Sequence, residues 1–286
     1  MKKSWGNDFL ILIKLRLNLL ALLTTLAGFY LGSSGPLENS LMLFTLLGAT
    51  CVAAGSGVLN QWLEVEQDSK MTRTRHRPLP AGRMGSWQAL FWGLGLSALG
   101  EALLFWRVNE LTGYLGLAAL VSYVAVYTPL KKVTSLCTLV GAVPGALPPL
   151  MGWTAVRDHI GLEGGVLFAI LFLWQMPHFL AIGWMYRDDY EKAGFPMLSV
   201  LDKEGRTTGW MAAAYSAALL PVALLPALFH MAGLVYFWTA LVLSLAFLGA
   251  SVRLALVQSL STARWLFLSS LVYLTVLFIV MVADRT

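Results

Sequence analysis

Long runs of apolar residues alternate with short polar segments along almost the whole chain. A run of about 17 to 25 apolar residues is long enough to cross the hydrocarbon core of a bilayer as a helix. The sequence has nine such runs, at residues 9–32, 41–59, 87–106, 111–129, 136–154, 164–186, 209–229, 232–252 and 265–283. This pattern predicts an all-α, polytopic membrane protein in which residues 1–286 form one domain of about nine transmembrane helices.

The distribution of cationic side chains predicts how these helices are oriented. If the N-terminus is cytoplasmic, 17 of the 20 Lys and Arg residues fall on the cytoplasmic side, and only Arg107, Arg157 and Arg285 fall outside. Cations concentrate on the cytoplasmic loops of membrane proteins, so we expect a cytoplasmic N-terminus and an external C-terminus. The net charge of +5 follows from this bias and does not indicate nucleic-acid binding. The first run lacks a cleavage-site or transit-peptide pattern, which favours a bacterial or archaeal plasma membrane.

The longest polar loop, residues 60–86, begins with three oxygen-bearing side chains at a spacing of four. Asn60, Glu64 and Asp68 therefore share one face of a continuing helix. Carboxylate and amide oxygens suit Mg²⁺, which takes its remaining ligands from water and substrate phosphates. The alternative is that these acids only pair with Lys70 and Arg73 at a solvated helix end.

Four arginines follow in the same loop: Arg73, Arg75, Arg77 and Arg83. Guanidinium groups match phosphate oxygens, and the Pro78-Leu79-Pro80 segment makes the loop stiff enough to hold charges in place. Cations in such a loop are also expected from membrane orientation alone. The loop is therefore a candidate diphosphate site.

A second long loop, residues 187–208, lies on the same predicted side and begins with Asp188, Asp189 and Tyr190. Two acidic clusters on one membrane face suit a diphosphate held through bridging Mg²⁺, which neutralises the charge of a departing pyrophosphate. The cytoplasmic side is therefore where we expect chemistry.

Two further spans carry candidate residues. Tyr127 and Lys131, at the end of the fourth span, are spaced to share a face and to bind a phosphate oxygen; an interfacial anchor is the alternative. The fifth span contains a set of small and kinking residues that predicts a central cavity open to the cytoplasm, with tight helix packing as the alternative. This set is Gly141, Pro144, Gly145, Pro148, Pro149 and Gly152.

His178 is an ionisable residue inside the sixth span. Such residues are functional candidates, and a neutral imidazole can bind iron or a propionate. Because Pro177 frees a helix carbonyl, a structural histidine at a kink is the alternative.

Taken together, these motifs resemble the UbiA superfamily of intramembrane prenyltransferases, and within it the branch that farnesylates haem. The resemblance covers most of residues 60–200. It rests on Asn60-x-x-x-Glu64-x-x-x-Asp68, Arg73-Thr74-Arg75-x-Arg77-Pro78-Leu79-Pro80, Tyr127-Thr128-Pro129-Leu130-Lys131, Gly145-Ala146-Leu147-Pro148-Pro149, Pro177-His178-Phe179 and Asp188-Asp189-Tyr190.

The resemblance implies transfer of a farnesyl group from farnesyl diphosphate to a vinyl group of haem B, with Mg²⁺ as cofactor and the bilayer as solvent. By resemblance, one Mg²⁺ is held by Asn60, Glu64 and Asp68, and a second by Asp188 or Asp189. The diphosphate is bound by Arg73, Arg77 and Lys131, with Tyr127 and Tyr190 beside the substrate and His178 toward the haem. The product is expected to pass to a haem A synthase or a terminal oxidase.

Two departures from the family pattern and two other functions bear on this hypothesis. Glu64 stands where the family usually has Asp, and Asp188 and Asp189 are adjacent rather than four apart, which favours Asp189 as the ligand. A related enzyme acting on an aromatic quinone precursor is the near alternative. A transporter is the distant one, but its ionisable residues are expected near the bilayer midplane.

Overall fold

The computed structural model describes residues 5–286, apart from the side chains of Arg16 and Leu17. Within these residues the chain is helical and has no strand. The helices are α1 Trp5–Leu12, α2 Leu15–Gly32, α3 Asn39–Leu63, α4 Val65–Lys70, α5 Ser86–Arg107, α6 Glu110–Val121, a π-helical segment Ser122–Tyr127, α7 Thr128–Leu130, α8 Cys137–Arg157, α9 Gly161–Met185, α10 Arg187–Ala193, α11 Leu198–Leu201, α12 Arg206–Leu228, α13 Leu234–Leu256 and α14 Leu260–Ala283.

Eight helical stretches of the described chain are long and apolar enough to cross a membrane. They are α3, α5, the continuous stretch Glu110–Leu130, α8, α9, α12, α13 and α14. Helix α2 adds a shorter apolar stretch, Asn18–Gly32. The predicted all-α, multi-pass architecture is confirmed, while the count of nine spans and the side to which the bundle opens stay predictions.

The first predicted span is not one continuous helix, and that part of the prediction is wrong. Helix α1 ends at Leu12, and Lys14 adopts a left-handed backbone conformation with φ of +51° before α2 begins. Side chains occupy the carbonyls freed at the break: Asn18 Nδ2 donates to the carbonyl of Ile13 at 2.7 Å, and Gln61 Nε2 donates to that of Leu12 at 2.6 Å. Because these contacts come from a different turn and a different helix, the local apolar pattern does not report the break.

The fourth predicted span also differs from a regular helix. Its C-terminal half contains the π-helical segment Ser122–Tyr127, and the hydroxyl of Thr128 donates to the carbonyl of Tyr123 at 2.8 Å. A π segment places one extra residue in a turn and is frequent at functional sites. Here the rings of Tyr123 and Tyr127 stack with their centroids 5.2 Å apart.

Helices α2 and α8 pack closely enough that a side chain would not fit between them. A Cβ added at Gly28 would overlap the carbonyl oxygen of Pro149, and one added at Gly152 would overlap that of Thr25. Small residues allow this backbone approach in lipid, where helix association depends on packing rather than on the hydrophobic effect. The Gly- and Pro-rich α8 is thereby fixed against the first apolar helix.

Candidate active site

An apolar cavity of about 240 Å³ lies among α2, α3, the π segment, α8 and α9. Helix α8 lines it with Gly141, Pro144, Gly145 and Pro148, so the fifth span does open a cavity, as its composition predicts. The polar residues on the wall include Lys14, Tyr123 and Gln175.

Asn60 lies near the C-terminal end of α3 and is 3% exposed. Its side-chain oxygen accepts a 2.8 Å hydrogen bond from Lys14 Nζ, and its Nδ2 donates to the hydroxyl of Thr128 at 3.1 Å. These two bonds fix the direction of the amide. Since Lys14 also lines the cavity, Asn60 is connected to the cavity wall through one side chain.

Glu64 occupies the junction between α3 and α4 and is 2% exposed. One carboxylate oxygen, Oε2, accepts from Lys131 Nζ at 3.1 Å. The other, Oε1, is buried and has no hydrogen-bond partner among the residues that the structure describes. A buried carboxylate oxygen without a donor is costly, and a bound cation would satisfy it.

Asp68 is equally buried, and its Oδ2 accepts a 2.7 Å charge-assisted hydrogen bond from Arg77. Glu66, two residues earlier, points to solvent and pairs with Lys70 at 2.7 Å; the hydrogen bond and charge of Lys70 lower the pKa of Glu66. We call the shared face of Asn60, Glu64 and Asp68 the acid face. The alternative in which Lys70 and Arg73 neutralise this face is therefore not what the structure has. Arg77 and Lys131 contact that face instead.

Asp189 joins the two acidic loops. Its two oxygens accept 3.0 Å hydrogen bonds from the backbone N–H groups of Thr72 and Arg73. Burial would raise the pKa of Asp189, but these backbone N–H donors outweigh it and hold the pKa below its ordinary value. Both loops thus lie on the same side of the bundle and touch.

Asp188 does not share this position. Its side chain is 81% exposed and lies 3.6 Å from Arg187. Adjacent residues of a helix point in different directions, so only one of the pair faces the other loop. The roles of Asp188 and Asp189 in metal binding stay predictions.

An aromatic cluster surrounds the cations between the loops. The guanidinium of Arg73 lies 4.7 Å from the ring centroid of Tyr186 and 3.5 Å from the Tyr190 hydroxyl. Lys131 Nζ lies 4.5 Å from the ring centroid of Phe195 and 5.8 Å from that of Tyr127. Ring faces attract cations and keep water away, so both side chains are held in place without being neutralised by the rings.

The charge state of Lys131 is set by its surroundings. Burial by itself lowers the pKa of Lys131, but the Glu64 carboxylate raises it above its ordinary value. Lys131 is therefore a cation throughout the neutral range.

His178 lies in a different part of the molecule from the acid face. Its Nδ1 is 2.7 Å from the hydroxyl of Ser270 on α14, and its ring lies against Trp174 and Phe267 at centroid distances of 4.9 and 5.0 Å. It is not among the residues that line the cavity. The structure thus places His178 between α9 and α14, and its predicted role toward haem stays a prediction.

Two site residues were missed by sequence reasoning. Lys14 lies inside the first apolar run, and a cation inside such a run is itself a functional indication. Gln175 is a buried amide in the sixth span, three residues before His178. In both cases the polar residue inside a span was the available signal.

The residues present fit a divalent cation. Asn60, Glu64 and Asp68 are buried oxygen-bearing side chains from one continuous stretch of chain, and Glu64 Oε1 has no donor among the described residues. Across residues 5–286 no three His, Cys, Asp or Glu side chains already converge as a preformed metal cage. Glu64 and Asp68 provide two carboxylates, and a divalent cation such as Mg²⁺ is usually held by one or two carboxylates together with water and phosphate oxygens.

Comparison with known proteins gives relatives along almost the entire chain. Residues 21–280 match the sequence model of the UbiA prenyltransferase family. A protoheme IX farnesyltransferase of Solibacter usitatus (strain Ellin6076) is 42% identical over an alignment of 288 residues, gaps included, that covers 98% of this chain and 99% of the relative. That of Myxococcus xanthus (strain DK1622) is 43% identical over 281 residues, with 98% and 95% covered.

Solved structures share the fold at low identity. A structure of digeranylgeranylglyceryl phosphate synthase superposes with a TM-score of 0.81 at 17% identity and covers 97% of both chains. A UbiA homolog from Archaeoglobus fulgidus bound to GPP and Mg²⁺ superposes with a TM-score of 0.69 at 16% identity, covering 96% of this chain and 99% of that one. With the family match spanning most of its length, the chain belongs to the UbiA prenyltransferase family.

Proposed function

We propose that the protein transfers a farnesyl group from farnesyl diphosphate to a vinyl group of haem B with the addition of one water molecule, giving haem O and pyrophosphate. The choice of acceptor and donor is supported by relatives that are 42–43% identical over nearly the whole chain and are named protoheme IX farnesyltransferases. The single observation that carries the chemistry is Lys14, which lines the apolar cavity and also bonds to Asn60 of the acid face.

That connection suits an amphiphilic substrate. An isoprenoid chain gains about 0.8 kcal/mol for each carbon that it buries in an apolar environment, so it favours the cavity. Its diphosphate then lies at the polar rim, where Lys14, Arg77 and Lys131 already face oxygen atoms of Asn60, Asp68 and Glu64.

In the proposed complex the cations exchange partners. Arg77 and Lys131 release part of their contact with Asp68 and Glu64 and bind phosphate oxygens, with Arg73 and Tyr190 at the opposite loop. Tyr127 contributes from the wall next to Lys131. The carboxylates of Glu64 and Asp68 would then lose their cationic partners and would be free to hold a divalent metal beside the diphosphate.

Mg²⁺ is the metal that we propose, held by Asn60, Glu64 and Asp68, with Asp189 or Asp188 serving a second ion. When bound, it supplies neutralising charge for the diphosphate that leaves. Support comes from the donor set, and from the A. fulgidus homolog, whose structure contains GPP and Mg²⁺.

We also propose the setting in which the reaction takes place. The 17 cations on one predicted side support a plasma membrane orientation with a cytoplasmic N-terminus and an external C-terminus. The site would then take its diphosphate from the cytoplasm and would pass haem O within the membrane to a haem A synthase or a terminal oxidase.

Purified protein supplied with farnesyl diphosphate and Mg²⁺ tests the proposal, with haem B and 4-hydroxybenzoate offered in parallel. We expect farnesylated haem by mass spectrometry, no prenylated benzoate, and loss of product when the metal is chelated. Prenylation of the benzoate alone would assign the protein to the quinone branch of the family. Release of pyrophosphate without any prenylated acceptor would contradict both.

A further inference from the structure

Gln175 presents an unpaired hydrogen-bond acceptor to the cavity. The side chain is 4% exposed, and its Nε2 donates to the carbonyl oxygens of Ala142 at 3.2 Å and Leu171 at 3.0 Å. Both N–H bonds of the amide are therefore used. Turning the amide over would bring its oxygen against two carbonyl oxygens, so the position of Oε1 is fixed by its surroundings.

Gly145 allows this oxygen to lie against the backbone of α8. Gln175 and Gly145 both line the cavity, and a Cβ added at Gly145 would overlap Oε1, so Oε1 itself takes the volume that a side chain would fill. Oε1 accepts no hydrogen bond from the residues that the structure describes, because both bonds of the Gln175 amide are made by Nε2. A donor supplied from the cavity would therefore add a hydrogen bond to this arrangement.

The proposed substrates do not provide that donor. A farnesyl chain has no N–H or O–H group, the pyrrole nitrogens of haem are bound to iron, and its propionates are acceptors when ionised. A water molecule is the remaining small donor, and the cavity wall carries further polar groups besides Gln175, among them Lys14 and Tyr123, which a buried water needs as additional partners.

Water also has a place in the chemistry. When C1 of the farnesyl group leaves its diphosphate oxygen and bonds to the terminal carbon of a vinyl group, the positive charge moves to the vinyl carbon next to the porphyrin ring. That cation either bonds to the oxygen of a water molecule or loses a proton to form an alkene. In the first case the extra proton of the water passes to the released pyrophosphate, and the product is an alcohol.

Resting on the proposed function, we propose that Gln175 Oε1 holds the water that adds to this cation, at the cavity wall next to Gly145. Gly145 also lies at a suitable distance from the proposed diphosphate site. It is one helical turn, about 6 Å, further along α8 than Gly141, which packs against the ring of Tyr127. Gln175 is thus a positioning residue for the nucleophile and decides between the alcohol and the alkene.

The products of Gln175→Leu test this role, because their identity is independent of how fast they form. The variant keeps the volume of the side chain and removes the acceptor. We expect farnesyl diphosphate to be consumed and haem to be bound, while the alkene-to-alcohol ratio rises about tenfold, the effect of losing one hydrogen bond. The alkene is recognised by mass spectrometry as a product lighter by one water.

Gly145→Ala provides a second route if Gln175→Leu does not fold, because the amide is retained while the added methyl group displaces Oε1 from its position; the same shift is expected. Ser56→Ala is the matched control. Ser56 lines the same cavity, but its hydroxyl already donates to the carbonyl of Val52 at 2.7 Å, so its product ratio should stay that of the unmodified protein.

An unchanged ratio in a folded Gln175→Leu or Gly145→Ala variant would overturn the assignment. So would an unmodified protein that forms only the alkene. If the unmodified protein does not farnesylate haem at all, the proposed function itself fails, and the two failures are told apart by that first measurement.

Discussion

Lys131 and Glu64 form a buried ion pair, with Nζ 3.1 Å from Oε2, across 67 positions of sequence. Their side chains are 11% and 3% exposed, so neither charge is well solvated. The pair fixes the end of α7 against the junction of α3 and α4. It also holds a cation next to the one carboxylate oxygen that lacks a donor in the described chain.

Lys131→Met should both destabilise the protein and inactivate it. Removing one partner leaves a buried charge without compensation, which costs about 3–5 kcal/mol. Thermal unfolding in detergent measures the loss. Lys132→Met is the matched control, because Lys132 is the next residue in the chain and its side chain is exposed.

Adding Glu64→Gln to Lys131→Met separates the two effects. The double variant no longer contains an unpaired buried charge, so most of the stability should return while activity stays lost. Recovery of turnover in the double variant would show that neither residue is needed for chemistry.

Asp68→Asn should reduce turnover about 100-fold or more while leaving the fold intact. The substitution keeps the shape but removes the charge that holds Arg77 and would hold the metal. Calorimetric titration with Mg²⁺ in the presence of farnesyl diphosphate should show weaker binding. Glu66→Gln is the control, since Glu66 lies in the same helix but is exposed and pairs only with Lys70; equal loss in both variants would argue against a specific role for Asp68.

The contact of Asp189 with the first loop should depend on pH in a defined direction. A carboxylate whose folded pKa is depressed stabilises the fold above its ordinary pKa of 3.8, and that contribution is lost as the pH falls through the lower folded value. The protection of the Thr72 and Arg73 amides against hydrogen exchange, relative to unstructured amides at the same pH, should thus stay high from neutral pH to about 4 and decrease below it.

Asp189→Ala should remove the protection of the Thr72 and Arg73 amides at every pH. Each hydrogen bond to a charged acceptor contributes about 1.5–3 kcal/mol, and two are removed. Asp188→Asn, whose side chain points to solvent, should leave the exchange unchanged. Protection of Thr72 that survives in Asp189→Ala would mean that other contacts hold the loop.

His178→Ala should lower the unfolding temperature and leave the haem titration unchanged. The imidazole bonds to Ser270 and packs between Trp174 and Phe267, away from the cavity wall. Ser270→Ala should cause a similar loss of stability, because it removes the same hydrogen bond. A weakened haem titration in His178→Ala alone would return His178 to the binding site, where its sequence motif predicts it.

The apolar runs predicted most of the helices, because a span needs about 20 apolar residues whatever it packs against. The spacing of Asn60, Glu64 and Asp68 predicted one shared helix face but not its burial, and all three side chains are buried. The break before Lys14, the π segment and the backbone contacts of Asp189 were not predictable. Each depends on groups distant in sequence or on backbone hydrogen bonds, which leave no periodic pattern in the residues themselves.

The size of the cavity has a consequence for how the enzyme works. At about 240 Å³ it falls below the 300–1,000 Å³ typical of small-molecule pockets, so a porphyrin and a fifteen-carbon chain cannot both enter it as it stands. If both substrates occupy this cavity, the helices must part to admit them, and a bulky, oily product would escape sideways between them into the surrounding lipid.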